Sequence, residues 1–174
     1  MLMSQESSIL TAFVCANCAR SGQQPASAGP VRPSIPEFDW PGRVRQVLVP
    51  CTGRLQPENV LRAFEAGSSI VAVVACREDN CHYMEGSRRC SRRIEYIRSI
   101  LKEIGLEEGR LLFFHLPGSA SEDLAAAAGK NGSTHGSGSV EAQILEIQRE
   151  AREAFRLYPQ SPLQNADFEE EKHE

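Results

Sequence analysis

The chain has 174 residues, of which 41% are hydrophobic, and its formal net charge at pH 7 is -4. This length suits one domain with a substantial core, since domains usually run to about 100 to 200 residues. The acidic balance argues against a nucleic-acid-binding protein, which would carry a surplus of Lys and Arg to neutralise phosphates. The sequence contains no apolar run near the roughly 18 to 20 residues of a membrane helix, and its opening does not have the pattern of a signal peptide. We therefore expect a soluble, cytoplasmic protein.

Short apolar runs typical of β-strands alternate with amphipathic helical runs through the first two-thirds of the chain. The predicted strands are residues 9–14, 44–49, 69–75 and 110–116. The predicted helices are one that begins at Pro57 and ends before Gly67, and one over residues 91–104, while residues 20–41 predict a long loop. This alternation predicts an α/β fold, a three-layer sandwich with a mainly parallel four-stranded sheet in flavodoxin-like or Rossmann-like order.

The composition changes sharply after Pro117. Gly, Ala and Ser dominate residues 119–139, which predicts a flexible linker because such a segment buries little apolar surface. Apolar residues then recur at helical spacing over residues 140–158, which predicts a C-terminal amphipathic helix packed back on the sheet. The expected organisation is an α/β domain over residues 1–118, the linker, this helix, and an acidic tail over residues 159–174.

Most of the cysteines follow the ends of predicted strands, where parallel strands bring them to one edge of a sheet. These five are Cys15, Cys18, Cys51, Cys76 and Cys81. Converging thiolates suit zinc, an iron–sulfur cluster or a dithiol redox pair, and spacing alone does not choose among the three. A disulfide framework is disfavoured, since such frameworks belong to small secreted chains without a large core.

The sixth cysteine, Cys90, lies on the same helical stripe as Ile94, and we expect it to be a small buried hydrophobe. Positive charges surround it, at Arg88, Arg89, Arg92 and Arg93. Cations at the start of a helix oppose the helix dipole, so these arginines do not serve helix stability. A solvated face is one explanation, and contact with an acidic partner surface or an anionic cluster is the other.

Several common catalytic motifs are missing from the sequence. It contains no dinucleotide-binding, triphosphate-binding, nucleophile-elbow or zinc-protease motif. Nothing in the sequence therefore points to dinucleotide, triphosphate, acyl-transfer or zinc-protease chemistry.

Three segments carry a more specific signal, because they keep the order C-x-x-C, C-[ST]-G-R and C-x-x-x-x-C-H-Y. The segments are FVCANCARSG, VLVPCTGRLQPENVLRAFEAG and VAVVACREDNCHYMEGSRRC. Over residues 9–122 the chain resembles the delta iron–sulfur subunit of methyl-viologen-reducing hydrogenase. It departs from that family at residues 77–80, where a loop richer in Gly is expected, and in the long linker.

The resemblance implies a 2Fe–2S cluster in a non-catalytic electron-transfer subunit, within complexes of anaerobic metabolism. Its partners would be a heterodisulfide-reductase-A-like flavoprotein, which holds FAD and iron–sulfur centres, and a hydrogenase, formate dehydrogenase or NAD-linked electron donor. Four of the five cysteines named above would be ligands, with Cys15 and Cys18 together on one iron. Arg54 and His82 would lie around the cluster and tune its potential.

Two other functions remain open from the residues alone. Four cysteines could hold zinc and make the same thiols a structural clip in an interaction module. A thiol–disulfide oxidoreductase could use Cys15 and Cys18, although such an enzyme has no need of three further thiols on the same edge.

Overall fold

The computed structural model describes residues 8–18, 38–116 and 140–163. The strands are β1 (Ile9–Cys15), β2 (Arg43–Val49), β3 (Ile70–Cys76) and β4 (Leu111–Leu116). The helices are α1 (Pro57–Glu65), α2 (Gly86–Glu103) and α3 (Val140–Leu157). Short 3-10 turns over Thr52–Arg54, Glu78–Asn80 and Glu108–Arg110 complete the described elements.

The four strands form one sheet in the order β2-β1-β3-β4, and every pair of neighbours is parallel. The predicted α/β fold with a four-stranded parallel sheet is therefore confirmed. Of the two strand orders considered from the sequence, the observed one follows the flavodoxin-like pattern. The central strand β3 is buried along its whole length, as its unbroken run of apolar residues predicts.

Helices cover both faces of the sheet, which makes the three layers. On one face α1 and α2 pack against the side chains of Phe13, Val71 and Val73. On the other face α3 inserts Ile147, Ala151 and Ala154 against a cluster that includes Leu10, Val14 and Val74. Successive side chains along each strand point to opposite faces of the sheet, so the protein has two separate hydrophobic cores.

Helix α2 begins at Gly86, earlier than the start predicted at residue 91. Its first turn is fixed by tertiary contacts, because the Ser87 hydroxyl donates a hydrogen bond to the carbonyl oxygen of Cys76 at the end of β3. The periodic stripe used for the prediction starts only with Cys90 and Ile94, so the first turn carries no apolar signal.

Parts of the predicted organisation lie outside the described residues, namely most of the loop (residues 20–37), the linker (residues 119–139) and residues 164–174 of the tail. The end of the loop is packed in the core, where the rings of Phe38 and Trp40 stack at 4.7 Å. The start of the tail is also packed, since Ser161 is buried and the carbonyl of Gln160 accepts a hydrogen bond from Arg110. Within the described parts of the chain, every helix is too short or too polar to cross a membrane.

Candidate metal centre

The cysteines gather where the strand order reverses. From β1 the sheet extends to β2 on one side and to β3 on the other, so the chain leaves β1 and β3 in opposite directions. In open parallel sheets this switch point leaves a crevice at the carboxyl ends of the strands, where ligands bind. Cys15 is the last residue of β1, and Cys76 is the last residue of β3.

Three thiols form a tight buried group that we call the thiol triad: Cys15, Cys18 and Cys76. Cys18 Sγ lies 3.1 Å from Cys76 Sγ, and Cys15 Sγ lies 3.6 Å from Cys76 Sγ. All three sulfurs lie within 4.8 Å of one another, which is close enough to share a metal ion. Each of the three residues is at most 1% exposed.

The other two predicted thiols form a second group, which we call the outer pair: Cys51 and Cys81. A Cβ atom on Gly86 would meet the sulfurs of both residues, so the pair lies together over the Cα of this glycine. Cys51 and Cys81 are 6% and 8% exposed, which makes them the thiols nearest the surface among the five. The structure therefore brings all five thiols to one edge of the sheet, as a triad and a pair.

Two glycines allow this close approach. A Cβ atom on Gly53 would lie 2.7 Å from the Cα of Gly86, so the turn after β2 packs backbone to backbone against the start of α2. No side chain other than hydrogen fits between these two segments. The contact sets Cys51 at the amino-terminal end of an 18-residue helix.

Polar side chains tie the cysteine loops to one another. Arg93 of α2 donates hydrogen bonds to the carbonyl oxygens of Gly53 and Leu55, so the helix holds both sides of the turn after Cys51. The amide of Asn17 donates to the carbonyl oxygen of Pro50 at 3.0 Å, which links the loop after β1 to the loop after β2. These contacts preorganise the sulfur positions, as a metal site requires.

The three thiols of the triad differ in how readily they lose a proton. Hydrogen bonds from neighbouring thiols, that of Cys18 first, hold the pKa of Cys15 well below its usual range. The hydrogen bond with Cys15 is also the main cause that raises the pKa of Cys18 and of Cys76. One thiolate is thus stabilised by its neighbours, while further ionisation is opposed unless a cation binds.

The outer pair has different electrostatics. Burial raises the pKa of Cys51, and its sulfur accepts a hydrogen bond from the backbone N–H of Gly53 at 3.4 Å. The amino end of α2 adds the positive end of a long helix dipole beside this sulfur. Such an end favours an anionic group, and a thiolate-bound iron–sulfur cluster is anionic.

The donor set fits an iron–sulfur cluster. All six cysteines are free, and five converge with no carboxylate or imidazole in the three-residue metal group found among the described residues. Soft thiolates in this number select zinc or iron–sulfur chemistry. The absence of a side chain at Gly86 lets the sulfurs of the outer pair pack directly against the start of α2, because a Cβ there would lie 2.4 Å from the Sγ of Cys51.

The remaining predicted site residues lie around this edge. Arg54 is exposed and lines a pocket together with Cys51. His82 is exposed and makes an edge-on ring contact with Tyr83, with centroids 5.0 Å apart. Cys90 is buried in the core under α1 and α2, as a small hydrophobe would be, and burial raises its pKa to about 11.

Sequence reasoning missed Gly53, Gly86, Ser87 and the role of Arg93. The two glycines offered a signal, since each closely follows a cysteine, Gly53 after Cys51 and Gly86 after Cys81. Arg93 was grouped with its neighbours as a cation of the helix surface, and nothing in the sequence separates it from Arg92.

Known proteins are similar to this chain in sequence. A family model described as "Methyl-viologen-reducing hydrogenase, delta subunit" matches residues 10–131. An iron-sulfur subunit of the F420-non-reducing hydrogenase vhu from Methanopyrus kandleri is 30% identical over 122 residues, which cover 70% of this chain and 87% of the relative. An F420-non-reducing hydrogenase iron-sulfur subunit from Archaeoglobus profundus is 35% identical over 108 residues, which cover 62% of this chain and 75% of the relative.

A second kind of relative is much longer than this chain. It belongs to the ferredoxin:CoB-CoM heterodisulfide reductase of Methanosarcina mazei and is 39% identical over 72 residues. That match covers 41% of this chain and only 9% of the relative. The similarity thus concerns one small part of a large protein.

Proposed function

Since this chain belongs to the family of methyl-viologen-reducing hydrogenase delta subunits, we propose that it is an electron-transfer subunit that carries a 2Fe–2S cluster. The observation that carries this proposal is the convergence of five free thiols at the switch point of the sheet. The relay runs between an electron-donating hydrogenase, formate dehydrogenase or NAD-linked enzyme and a heterodisulfide-reductase-A-like flavoprotein. A cytoplasmic location is part of the same proposal.

The cluster takes two thiolates on each iron, so one of the five thiols is left over. Cys51 and Cys81 share one side of Gly86 and are assigned to one iron. Cys15 and Cys18, from the C-x-x-C turn, are assigned to the other. Cys76 lies within hydrogen-bond distance of both of these sulfurs and is the thiol left without an iron.

The cluster supplies reversible one-electron chemistry when it is bound. The protein's own groups set how readily it accepts the electron. The N–H of Gly53, the amino end of α2 and the exposed Arg54 favour negative charge beside Cys51. The nearly complete burial of the triad keeps water from that side.

The proposal is tested on protein purified without oxygen, by iron and zinc analysis with visible and electron paramagnetic resonance spectra before and after dithionite. We expect about two irons per chain and a reduced-state signal from one unpaired electron, as a 2Fe–2S cluster requires. Colourless protein with one zinc and no signal would refute the relay.

Single Cys→Ser variants test the ligand assignment. We expect Cys15→Ser, Cys18→Ser, Cys51→Ser and Cys81→Ser to lose most of the iron or to change the spectrum. Cys76→Ser should keep two irons and shift the reduction potential, because it changes a hydrogen bond to a ligand sulfur. Cys90→Ser is the matched control, since its thiol lies in the core under the helices. If Cys76→Ser loses iron while Cys15→Ser or Cys18→Ser keeps it, Cys76 is a ligand and the residue whose variant keeps iron is the remaining thiol.

Zinc is the second candidate, because three thiols within 4.8 Å of one another also match part of a four-coordinate zinc site. In that case the triad and one sulfur of the outer pair would hold one ion as a structural clip. The metal analysis described above separates the two functions directly.

A further inference from the structure

A pocket of about 370 Å³ opens beside the outer pair of thiols. Its buried lining includes Cys51 and Gly86, and its exposed lining includes Arg54, Tyr83, Met84 and Arg89. Cys51 is the one thiol among the pocket's lining residues. The pocket therefore leads from the protein surface to the proposed cluster site.

Large apolar side chains stand exposed at this pocket. Met84 is 82% exposed and Tyr83 is 53% exposed, and both line the pocket beside Cys51. Exposed Met and Tyr at one place are typical of contact surfaces, because Met adapts its shape and Tyr offers a rigid amphipathic ring.

The backbone also holds Met84 in an unusual position. Its φ angle is +56°, in the left-handed region that is unfavourable for a non-glycine residue. A hydrogen bond from its N–H to the carbonyl of Cys81 at 2.9 Å fixes the turn. The chain thus gives up some stability to present this side chain outward, directly after the cysteine loop.

The lining of the pocket carries more positive than negative charge, with two arginines, Arg54 and Arg89, against one carboxylate, Glu85. Among the residues that the structure describes, no carboxylate pairs with Arg54 or Arg89. The carboxylate of Glu85 lies 3.6 Å from the guanidinium of Arg88, which Glu78 also contacts. A positive face therefore surrounds the pocket in a chain whose net charge is -4.

Building on the proposed electron-transfer function, we propose that this pocket is the docking face for the heterodisulfide-reductase-A-like flavoprotein, and that this partner presents an acidic surface around an apolar contact. Opposite charges would steer the two proteins together, and Met84 and Tyr83 would form the apolar centre. One electron passes between the partner's redox group and the cluster, so that one is oxidised as the other is reduced, and no atom or proton is transferred.

The charge of the pocket is tested with small one-electron oxidants on the cluster-loaded protein. The rate at which ferricyanide, an anion, reoxidises the reduced cluster is compared with the rate for hexaammineruthenium(III), a cation. In Arg54→Glu/Arg89→Glu we expect reoxidation by ferricyanide to slow down and reoxidation by hexaammineruthenium(III) to speed up. The ratio of the two rates should change by about tenfold at low salt. The control is Arg62→Glu/Lys102→Glu, which makes the same charge change at exposed residues outside the pocket lining.

The docking is tested by titrating the same proteins with the heterodisulfide-reductase-A-like flavoprotein and measuring the dissociation constant against NaCl concentration. We expect Arg54→Glu/Arg89→Glu to weaken binding about tenfold and to flatten its salt dependence, and Met84→Ala to weaken binding at every salt concentration. The control double variant should bind as the unchanged protein does.

Iron content and the paramagnetic signal are recorded for every variant, so that the two proposals fail separately. If the unchanged protein holds no cluster, the electron-transfer function is wrong. If the cluster is present but the pocket variants match the control in oxidant selectivity and in binding, the relay stands and the docking face is refuted.

Discussion

Gly86 lies directly under the sulfur of Cys51, and a Cβ atom on this glycine would come within 2.4 Å of that Sγ. The same Cβ would lie 3.3 Å from the Sγ of Cys81. The first turn of α2 is thus the floor of the outer pair, and the absence of a side chain there is part of the site. This relationship makes Gly86 a part of the proposed cluster site.

Gly86→Ala should therefore reduce cluster loading severely. The added methyl group forces the Cys51 side chain to rotate away, since a Cβ at residue 86 would lie 2.4 Å from its Sγ and contacts under 3.0 Å are not tolerated. We expect the iron content after anaerobic reconstitution to fall to a small fraction of its normal value, measured with the visible spectrum.

Gly105→Ala is the matched control for this change. It introduces the same methyl group at a position with a φ angle of +77° and no atom within 4 Å, so it carries a backbone cost without touching the site. We expect it to lower the melting temperature but to keep the iron. Equal iron loss in both variants would mean that protein stability, and not the contact between residue 86 and Cys51, controls the amount of cluster bound.

Arg93 gives a second test, because it holds the turn after Cys51 through two carbonyl oxygens. Arg93→Met keeps most of the aliphatic chain but removes both donors, at a cost of about 1–3 kcal/mol for hydrogen bonds to a charged group. We expect the freed turn to let a chelator strip the cluster several times faster, as followed by the loss of visible absorbance.

Arg92→Met is the control on the same helix, since Arg92 is exposed and makes no hydrogen bond or ion pair among the described residues. It should leave the stripping rate unchanged. Identical rates in the two variants would show that the contacts of Arg93 do not preorganise the site.

The sheet was predictable from the sequence because its strands bury apolar residues in patterns that a short window reveals. β3 is a solid run from Ile70 to Cys76, and its burial on both faces follows from the helices that cover it. The gathering of the five cysteines follows in turn, since each stands at or just beyond the carboxyl end of a parallel strand. Local pattern and topology were sufficient for that step.

The division into a triad and a pair was not predictable in the same way. It depends on how the loops fold over the edge, through the approach of Gly53 to Gly86 and the bond from Ser87 to the Cys76 carbonyl. These contacts join residues that are far apart along the chain, and no periodic pattern encodes them. The early start of α2 was missed for the same reason.

Arg110 lies just before β4, away from the carboxyl ends of the strands where the cysteines gather. We expect its replacement to lower stability without affecting the proposed cluster. The Arg110 guanidinium is buried, donates to the carbonyls of Ser69 and Gln160, and stacks 4.7 Å from the ring centre of Tyr158. Arg110→Ala leaves the buried carbonyl oxygen of Ser69 without this donor, so we expect the free energy of unfolding to fall by about 1–3 kcal/mol with no change in iron content. Chemical denaturation measures the free energy of unfolding, and iron analysis of the same sample measures the iron content.

Arg110→Lys separates charge from geometry. A lysine keeps the positive charge but cannot donate to several acceptors in a planar fork. We expect a loss of stability nearly as large as that of the alanine variant. Full stability in Arg110→Lys would contradict the bonding role assigned to the guanidinium.

The ion pair between Glu107 and Arg110 predicts a pH dependence with a definite sign. The two side chains lie 2.7 Å apart, and the hydrogen bond from Arg110 holds the pKa of Glu107 below its ordinary value. The folded carboxyl thus binds a proton less readily than the unfolded one, whose pKa is about 4.3. Its contribution to stability is present above that pH and is lost as the pH falls through the lower, folded pKa.

Because Glu107 is half exposed, with 55% of its side chain accessible, solvent limits this contribution to under about 1 kcal/mol. Urea denaturation of the cluster-free protein and of Glu107→Gln between pH 7 and pH 3 measures it. The unchanged protein should be more stable at neutral pH, and the gap should close below about pH 4 and shrink in 1 M NaCl. A gap that stayed constant with pH would assign the difference to the shape of the side chain instead of its charge.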